Sequence, residues 1–515
     1  MYVTQALHRL LQQQPQALMT VSGDRRRTVT ESVDRIARLA SALRSLGVQP
    51  GETVGYLGLN SDRYHEFLLA VPWADAVVNP INIRWSAAEI AYSLNDSDCR
   101  TVFVDDAFAG IVPQLRSAGA DVGTAVYCGD GGCPPGLLDY EELIATTEPV
   151  EDARRGGDAV YGVFYTGGTT GHPKGVMLSH RNVVVGSLGA LSSGHFISAR
   201  GRLLHVAPMF HLAGIASWLA GNMMGSTHVM VPHFTPDGTA RAIVTHQISD
   251  ILLVPTMIQM MLDHPDNAGA RFESIRHVVY GASPISDTVL ERGRKAFPGA
   301  AFTQAYGMTE LAPVATLLSP ADHDDPALTR SAGRAAPHVE IRVVDEHDHD
   351  VPCGQVGEIT ARGENVMIGY RGRPQETSVA LRQGWMHTGD MGYLDADGYL
   401  FVVDRLKDMI VTGGENVYSA EVENALAEHE SVAAVAVIGV PDDRWGERVH
   451  AVVVLRPGAA VSAEQLGAHC REAIAGYKVP RSFEFVAELP MSGVGKVLKR
   501  DLRAAHWTSR DRQIS

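Results

Sequence analysis

Tyr165-Thr166-Gly167-Gly168-Thr169-Thr170-Gly171-His172-Pro173-Lys174-Gly175 follows the apolar run Val160-Tyr161-Gly162-Val163-Phe164. Four glycines, three threonines and a lysine in eleven residues read as a polar loop leaving a β-strand. Glycine admits positive φ and close backbone approach, so successive N–H groups can converge on an anion, with hydroxyls and one ammonium as further donors. A loop of this composition suits phosphate, whereas a plain surface turn needs none of these donors. It is not a Walker A loop, because Lys174 lies between Pro173 and Gly175 instead of preceding Ser or Thr. No GxGxxG turn into a helix is present, which argues against a nucleotide oxidoreductase.

On both sides of the loop, strand-like runs alternate with helical spacing. Thr53-Val54-Gly55-Tyr56-Leu57, Thr101-Val102-Phe103-Val104 and Thr124-Ala125-Val126-Tyr127 precede it; Leu203-Leu204-His205-Val206, Thr227-His228-Val229-Met230-Val231, Ile251-Leu252-Leu253-Val254 and His277-Val278-Val279-Tyr280 follow. Helices are expected over residues 30–46, with Val33, Ile36, Ala37, Ala40 and Leu43 on one face, over 64–73 and near Ile111. The alternation implies βαβ units and a largely parallel sheet, hence an α/β fold. Arg25-Arg26-Arg27 reads as a solvated hairpin end. From about residue 339 the pattern changes to β-hairpins. The strands Ile341-Arg342-Val343-Val344 and Gly357-Glu358-Ile359-Thr360 flank Asp345-Glu346-His347-Asp348-His349-Asp350, a polar hairpin tip in preference to a metal site.

A second domain is expected after Asp404-Arg405-Leu406-Lys407-Asp408, with a helix opened by Ser419, strands at 432–440 and 449–455, and a helix from Ser462. The roughly 110 residues from there on suffice for a small α+β domain, and the tail after Arg503 reads as frayed.

At 515 residues the chain exceeds what one core serves. The balance of 44 basic against 59 acidic side chains, a formal charge of −15, argues against nucleic acid or an anionic membrane as main partner. Five scattered cysteines fit a reducing compartment, and Cys128 with Cys133 lacks a second ligand pair for zinc. The first residues do not read as a signal peptide, and no apolar run is long enough to span a bilayer. A cytoplasmic location is expected.

The loop resembles the phosphate-binding signature of the adenylate-forming superfamily, which includes acyl-CoA synthetases, aryl-CoA ligases, luciferases and peptide-synthetase adenylation domains. Further motifs follow in that family's order: Tyr306-Gly307-Met308-Thr309-Glu310, His387-Thr388-Gly389-Asp390, Asp404-Arg405-Leu406-Lys407, and the stretch from Pro490 to Lys496. Gly167 stands where many members have serine, which removes one hydroxyl donor and leaves the backbone cradle. The resemblance spans nearly the whole chain. It implies a large multi-sheet N-terminal domain (1–404) holding the ATP and acyl sites, a hinge at 405–407, and a small mobile C-terminal domain (408–515).

The same resemblance implies roles for individual residues. Thr166, Gly167, Gly168, Thr169, Thr170 and Lys174 hold the pyrophosphate end of ATP; Thr309 donates to the α-phosphate; Glu310 and Thr170 bind Mg²⁺, an ion that prefers hard oxygen ligands. Gly281, Ala282, Tyr306 and Gly307 border the adenine, while Asp390 and Arg405 take the ribose. Lys496 bridges the substrate carboxylate and the α-phosphate, where opposing anions must be neutralised. Lys407 is the pivot, after which Gly414 helps form a pantetheine tunnel. Trp445 stacks on the CoA adenine or, equally, is a core tryptophan; Asp390 taken alone reads equally as a turn aspartate. Tyr477-Lys478-Val479-Pro480-Arg481 offers cations for the CoA phosphates or a solvated surface.

By the same resemblance His211, in Met209-Phe210-His211-Leu212-Ala213-Gly214, is expected to border the carboxylate and the path of the CoA thiol. Amino-acid-activating relatives have aspartate there, so an α-amino acid is disfavoured. Trp218, Met223, Tyr280, Ala282, Val314 and Ala315 suggest an apolar acyl pocket. The implied activity is an ATP-, Mg²⁺- and CoA-dependent acyl-CoA synthetase acting on a small-molecule carboxylic acid, a medium- or long-chain fatty acid first and an aryl or cinnamic-type acid second. Transfer of the acyl group to a carrier protein is the rival enzymatic reading and a non-catalytic scaffold the rival class; assembly as a homodimer is left open.

Overall fold

The computed structural model describes residues 1–166, 173–283, 285–412, 415–442, 444–491 and 497–507. The chain divides into two compact units, Met1–Ile341 with Ala361–Met386, and Arg342–Thr360 with His387–Ser515.

The first unit contains two large sheets. One runs, in spatial order, Gly369–Tyr370, Lys174–Ser179, Val160–Thr166, Val77–Pro80, Thr53–Leu57, Thr101–Val104, Thr124–Tyr127 and Leu138–Asp139. From Val160–Thr166 through Leu138–Asp139 its strands pair in parallel, as the alternation with helices requires, whereas Lys174–Ser179 is antiparallel to both neighbours. The other sheet orders Arg334–Ala335, Val314–Leu318, Ala301–Gly307, His277–Gly281, Asp250–Leu253, Arg202–His205, Thr227–Met230, Leu18–Ser22 and Arg25–Thr28. The strand Val77–Pro80 escapes sequence reading because its run is short and ends in proline. Lys174–Ser179 escapes because only the outgoing half of the hairpin around the loop carries an uninterrupted apolar signal.

The helix expected over 30–46 is Val29–Ser45. Thr28 caps it, accepting from the Glu31 N–H while the Glu31 carboxylate accepts from the Thr28 N–H, a reciprocal capping box. Arg25 and Arg27 are not a solvated hairpin end. On the strand Arg25–Thr28 both pair with Asp62, at 2.8 and 2.7 Å, and the Asp62 side chain is 1% exposed. A carboxylate buried to that extent needs cationic partners, and alternation along the strand puts residues 25 and 27 on one face.

In the second unit residues 390–394 of the strand Trp385–Leu394 pair antiparallel with Leu400–Arg405. A second sheet orders Glu415–Val417, Ile410–Thr412, Gly446–Leu455 and Val432–Asp442, with Ser482–Phe485 parallel to Gly446–Leu455. Helices Ser419–Ala427 and Ala463–Ala473 cover it through Val422, Leu426, Leu466 and Cys470. Ser419 does not cap its helix. The Asp404 carboxylate accepts from both the Ser419 N–H and the Ser419 hydroxyl, the latter at 2.7 Å. At the acidic hairpin tip the Asp345 N–H donates to the His349 carbonyl at 2.9 Å. Through residue 507 the tail is anchored: Trp507 Nε1 donates to the Gly439 carbonyl at 3.0 Å, because a large amphipathic ring gains by covering the sheet.

Candidate active site

In the first unit the expected nucleotide residues gather at the C-terminal ends of parallel strands, where open α/β sheets bind ligands. His277–Gly281 and Ala301–Gly307 pair with Gly281 opposite Ala305. Ala282 then turns the chain at φ 69°, a left-handed conformation that a β-carbon disfavours. A β-carbon on Gly281 would collide with the Ala305 carbonyl, and one on Gly307 with the Pro313 carbonyl, so both glycines permit a close backbone approach. Tyr306 and Thr309 are half-buried, and Glu310 is 5% exposed in the short helix Thr309–Leu311.

That turn is fixed from outside. The Glu310 carbonyl accepts from the Met367 N–H at 2.9 Å, and Asn365 Nδ2 donates to the Leu311 carbonyl at 2.6 Å. Tyr370 Oη donates to Glu310 Oε1 at 3.0 Å.

The phosphate loop is held at both ends. Thr166 stands opposite Lys174 in the hairpin of Val160–Thr166 and Lys174–Ser179, Tyr165 Oη donates to Asp96 at 2.7 Å, and the Arg371 N–H donates to the Gly175 carbonyl at 2.8 Å. Gly167, Gly168, Thr169 and Thr170 lie outside the described residues. Lys174 Nζ pairs with Glu376 and lies 5.0 Å from the centre of the Tyr370 ring. Lys174 donation holds the Glu376 carboxyl below its usual range, with Arg373 adding to the effect. Burial, then the Glu310 charge, pushes the Tyr370 phenol up, so it stays a neutral donor at physiological pH.

Tyr370 thus touches both the lysine expected on the pyrophosphate and the carboxylate expected on Mg²⁺. Sequence reading missed Tyr370 and Glu376. The two-residue strand Gly369–Tyr370 has no periodicity, and its pairing with Lys174–Ser179 is visible only in three dimensions. A hard carboxylate hydrogen-bonded by a neutral phenol, as Glu310 is, suits an ion such as Mg²⁺.

His211 stands before helix Leu212–Met224, its N–H donating to the Pro208 carbonyl at 3.2 Å and its ring 4.1 Å from that of Phe210. Asn60 pins this turn, accepting from the Met209 N–H at 2.8 Å and donating to the Ala207 carbonyl at 3.0 Å. Of the residues read as pocket neighbours, Trp218 is packed in the core with its indole N–H on His65 Nδ1 at 2.9 Å, and Tyr280 is packed with its hydroxyl 2.8 Å from His323 Nε2.

In the second unit Asp390 is a strand residue and not a turn aspartate. It lies opposite Arg405, whose Nε is 3.2 Å from Asp390 Oδ1. Gly389, at φ 69°, accepts at its carbonyl from the Leu406 N–H at 2.9 Å. Burial and then Arg405 push the Lys407 ammonium down. Trp445 is half-buried and not a core residue: Arg444 and Arg481 lie over its ring at 4.8 and 4.4 Å. Lys478 is taken up by Glu421 at 2.6 Å. Gly414 and Lys496 lie outside the described residues.

Residues 7–371 match the family described as AMP-binding enzyme, and residues 421–496 match the AMP-binding enzyme C-terminal domain. The chain belongs to this family. A feruloyl-CoA synthase from an Amycolatopsis species is 39% identical over 490 residues, 95% of this chain and 96% of that protein. The fatty acid–[acyl-carrier-protein] ligase ScoC of Streptomyces coeruleorubidus is 36% identical over 484 residues, 93% of this chain and 91% of that one. The o-succinylbenzoate CoA synthetase MenE of Bacillus subtilis, solved with its acyl-adenylate intermediate OSB-AMP, has a TM-score of 0.85 at 29% identity, covering 97% of each chain. The protein is therefore an enzyme, an AMP-forming acid–thiol ligase with the adenylate-forming fold. No helix among the described residues is long and apolar enough to cross a membrane.

Proposed function

We propose that the protein joins an apolar carboxylic acid to coenzyme A in the cytoplasm, with an aromatic, hydroxycinnamate-type acid as the preferred substrate class. The observation that supports this is the 39% identity to a feruloyl-CoA synthase across 95% of the chain, against 36% for the fatty acid ligase. This proposal puts second the fatty acid that the sequence reading put first.

In the first half-reaction a carboxylate oxygen attacks the α-phosphorus of ATP, and the bond to the bridging oxygen of the β-phosphoryl group breaks, releasing pyrophosphate. Lys174, exchanging Glu376 for phosphate, and the loop that contains Gly167, Gly168, Thr169 and Thr170 hold the leaving group. Thr309 donates to the α-phosphate, and Gly281, Ala282, Tyr306 and Gly307 seat the base. Glu310 and Thr170 would hold Mg²⁺, which supplies charge neutralisation to the phosphates when bound. Asp390 accepts from the ribose hydroxyls with Arg405 beside it, and Lys496 neutralises charge where the two anions meet.

In the second half-reaction the CoA sulfur attacks the acyl carbon and AMP leaves, with the thiol proton lost to solvent. His211 borders the path of the thiol. The division at 404, the hinge at 405–407 and the placing of Gly414 and Trp445 on the CoA path belong to this proposal: rotation about Lys407 withdraws Lys496 between the two steps.

The test is pyrophosphate release across a panel of hydroxycinnamic, benzoic, and medium- and long-chain fatty acids, with and without CoA. The highest kcat/KM is expected for a hydroxycinnamic acid, and a higher value for a fatty acid would overturn the substrate assignment.

A further inference from the structure

Apart from the nucleotide residues, the second unit brings two histidines and a carboxylate to one point. Parallel pairing of Gly446–Leu455 with Ser482–Phe485 sets His450 opposite Ser482. Residues two apart on a strand share a face, so Ser482 and Glu484 both stand beside the His450 imidazole. Ser482 Oγ lies 2.7 Å from His450 Nδ1, which fixes the ring and turns Nε2 the other way. Nε2 is 3.6 Å from Glu484 Oε2. Among the described residues it has no hydrogen-bond partner, although His450 is only 5% exposed.

His506 approaches from the chain that leaves helix Lys499–Ala504, with its ring centre 5.0 Å from that of His450. It is held there by its own N–H on the Arg503 carbonyl at 2.9 Å and by Trp507 on Gly439 at 3.0 Å. Gly439 is cross-strand to Val449, the neighbour of His450. The candidate ligand atoms of His450, Glu484 and His506 all lie within 4.8 Å of one another.

A buried nitrogen that makes no hydrogen bond is unfavourable, and a cation between the three groups removes that penalty. A tetrahedral ion with bonds of about 2.0–2.1 Å sets its ligand atoms about 3.4 Å apart. The exposed Glu484 and His506, which follows the helix Lys499–Ala504, can close that difference by small rotations. A metal-bound imidazole is oriented by an acceptor on its other ring N–H, and the Ser482 hydroxyl can serve as that acceptor for His450 Nδ1. Two imidazoles and one carboxylate select a first-row transition ion over Mg²⁺ or Ca²⁺. Arg448 is a nearby opposing charge, which the Glu484 carboxylate offsets.

We propose that His450, Glu484 and His506 bind one divalent ion of the zinc class, with water as the fourth ligand, and that the ion clips residues 499–507 to the sheet of this unit. The clipped segment directly follows the stretch that carries Lys496. The metal therefore restrains the chain on the far side of that lysine without taking part in the reaction.

The experiment is calorimetric titration of Zn²⁺ alone into the chelator-treated, untagged full chain, repeated with Co²⁺ to read the visible absorption of a tetrahedral site. One ion per chain is expected, with affinity reduced about 100-fold in His450→Gln and in His506→Gln. His506→Gln alters only the anchored tail, so its fold is retained even if that of the core variant is not. The double variant His347→Gln/His349→Gln, at the exposed hairpin tip, should bind as the parent does. Zn²⁺ should also slow amide exchange over residues 499–507. Absence of saturable binding, binding undiminished in His506→Gln, or loss of binding only in the hairpin-tip variant would overturn the site. Binding without slowed exchange would overturn the clip.

Discussion

Replacing Tyr370 with phenylalanine removes one oxygen and separates the two contacts this residue makes. The hydroxyl, 3.0 Å from Glu310 Oε1, is lost, while the ring 5.0 Å from Lys174 Nζ is kept. A hydrogen bond to a buried charged group is worth about 1.5–3 kcal/mol. If the orientation of Glu310 matters mainly in the transition state, kcat/KM for ATP falls about 10- to 150-fold. Tyr370→Leu also removes the ring contact, worth about 0.5–2 kcal/mol, and falls further. The assay is acid-dependent pyrophosphate release at several Mg²⁺ concentrations, with thermal unfolding as the folding control. Tyr370→Phe should require more Mg²⁺ for half-maximal rate, whereas the additional loss in Tyr370→Leu should appear in KM for ATP. Because burial and Glu310 keep the phenol protonated, the Phe defect should be constant between pH 6.5 and 8.5. A Tyr370→Phe enzyme with the parent's rate and Mg²⁺ dependence would refute the view that this hydroxyl positions Glu310.

Glu376→Gln frees Lys174 from a half-exposed ion pair worth up to about 1 kcal/mol, so KM for ATP should fall about twofold to fivefold in steady-state assays; a rise would show that Glu376 assists binding. Burial pushes His65 and His205 down to about 3 and His228 well below its usual value, the last also through its two neighbours. The unfolded chain therefore takes up protons first, and stability present above pH 6.5 is lost as pH falls toward 3. At pH 5.5 the loss is about 1.4 kcal/mol per histidine, to be read as a lower denaturant midpoint than at pH 7.5. Lys496→Ala should abolish adenylation while sparing thioester formation from supplied acyl-adenylate, and equal loss of both half-reactions would refute withdrawal of that lysine between them.

Much of the fold was legible because hydrophobic period and punctuation agree. Thr28 and Glu31 mark a helix start that the structure closes as a capping box, and Thr53-Val54-Gly55-Tyr56-Leu57 is the strand it reads as. Asp390 and Arg405, both named from motifs, are cross-strand partners.

What was not legible depends on distant pairing. Arg25 and Arg27 read as solvated because nothing nearby in sequence indicates that Asp62 is buried against them. Asp404 reads as part of a hinge motif, yet it takes the hydrogen bonds of Ser419. Tyr370 carries no local signal, and its link between Lys174 and Glu310 exists only because a two-residue strand docks beside the loop's returning strand. Glycine and threonine spacing shows where phosphate can sit; Tyr370 and Glu376, which hold its lysine, come from some two hundred residues further along the chain.

The measurement that bears most directly on the account is the product balance of one reaction with a hydroxycinnamic acid, ATP, Mg²⁺ and CoA. AMP, pyrophosphate and CoA thioester are expected in equal amounts, with no ADP. Formation of ADP and phosphate, or of AMP without CoA thioester, would contradict it.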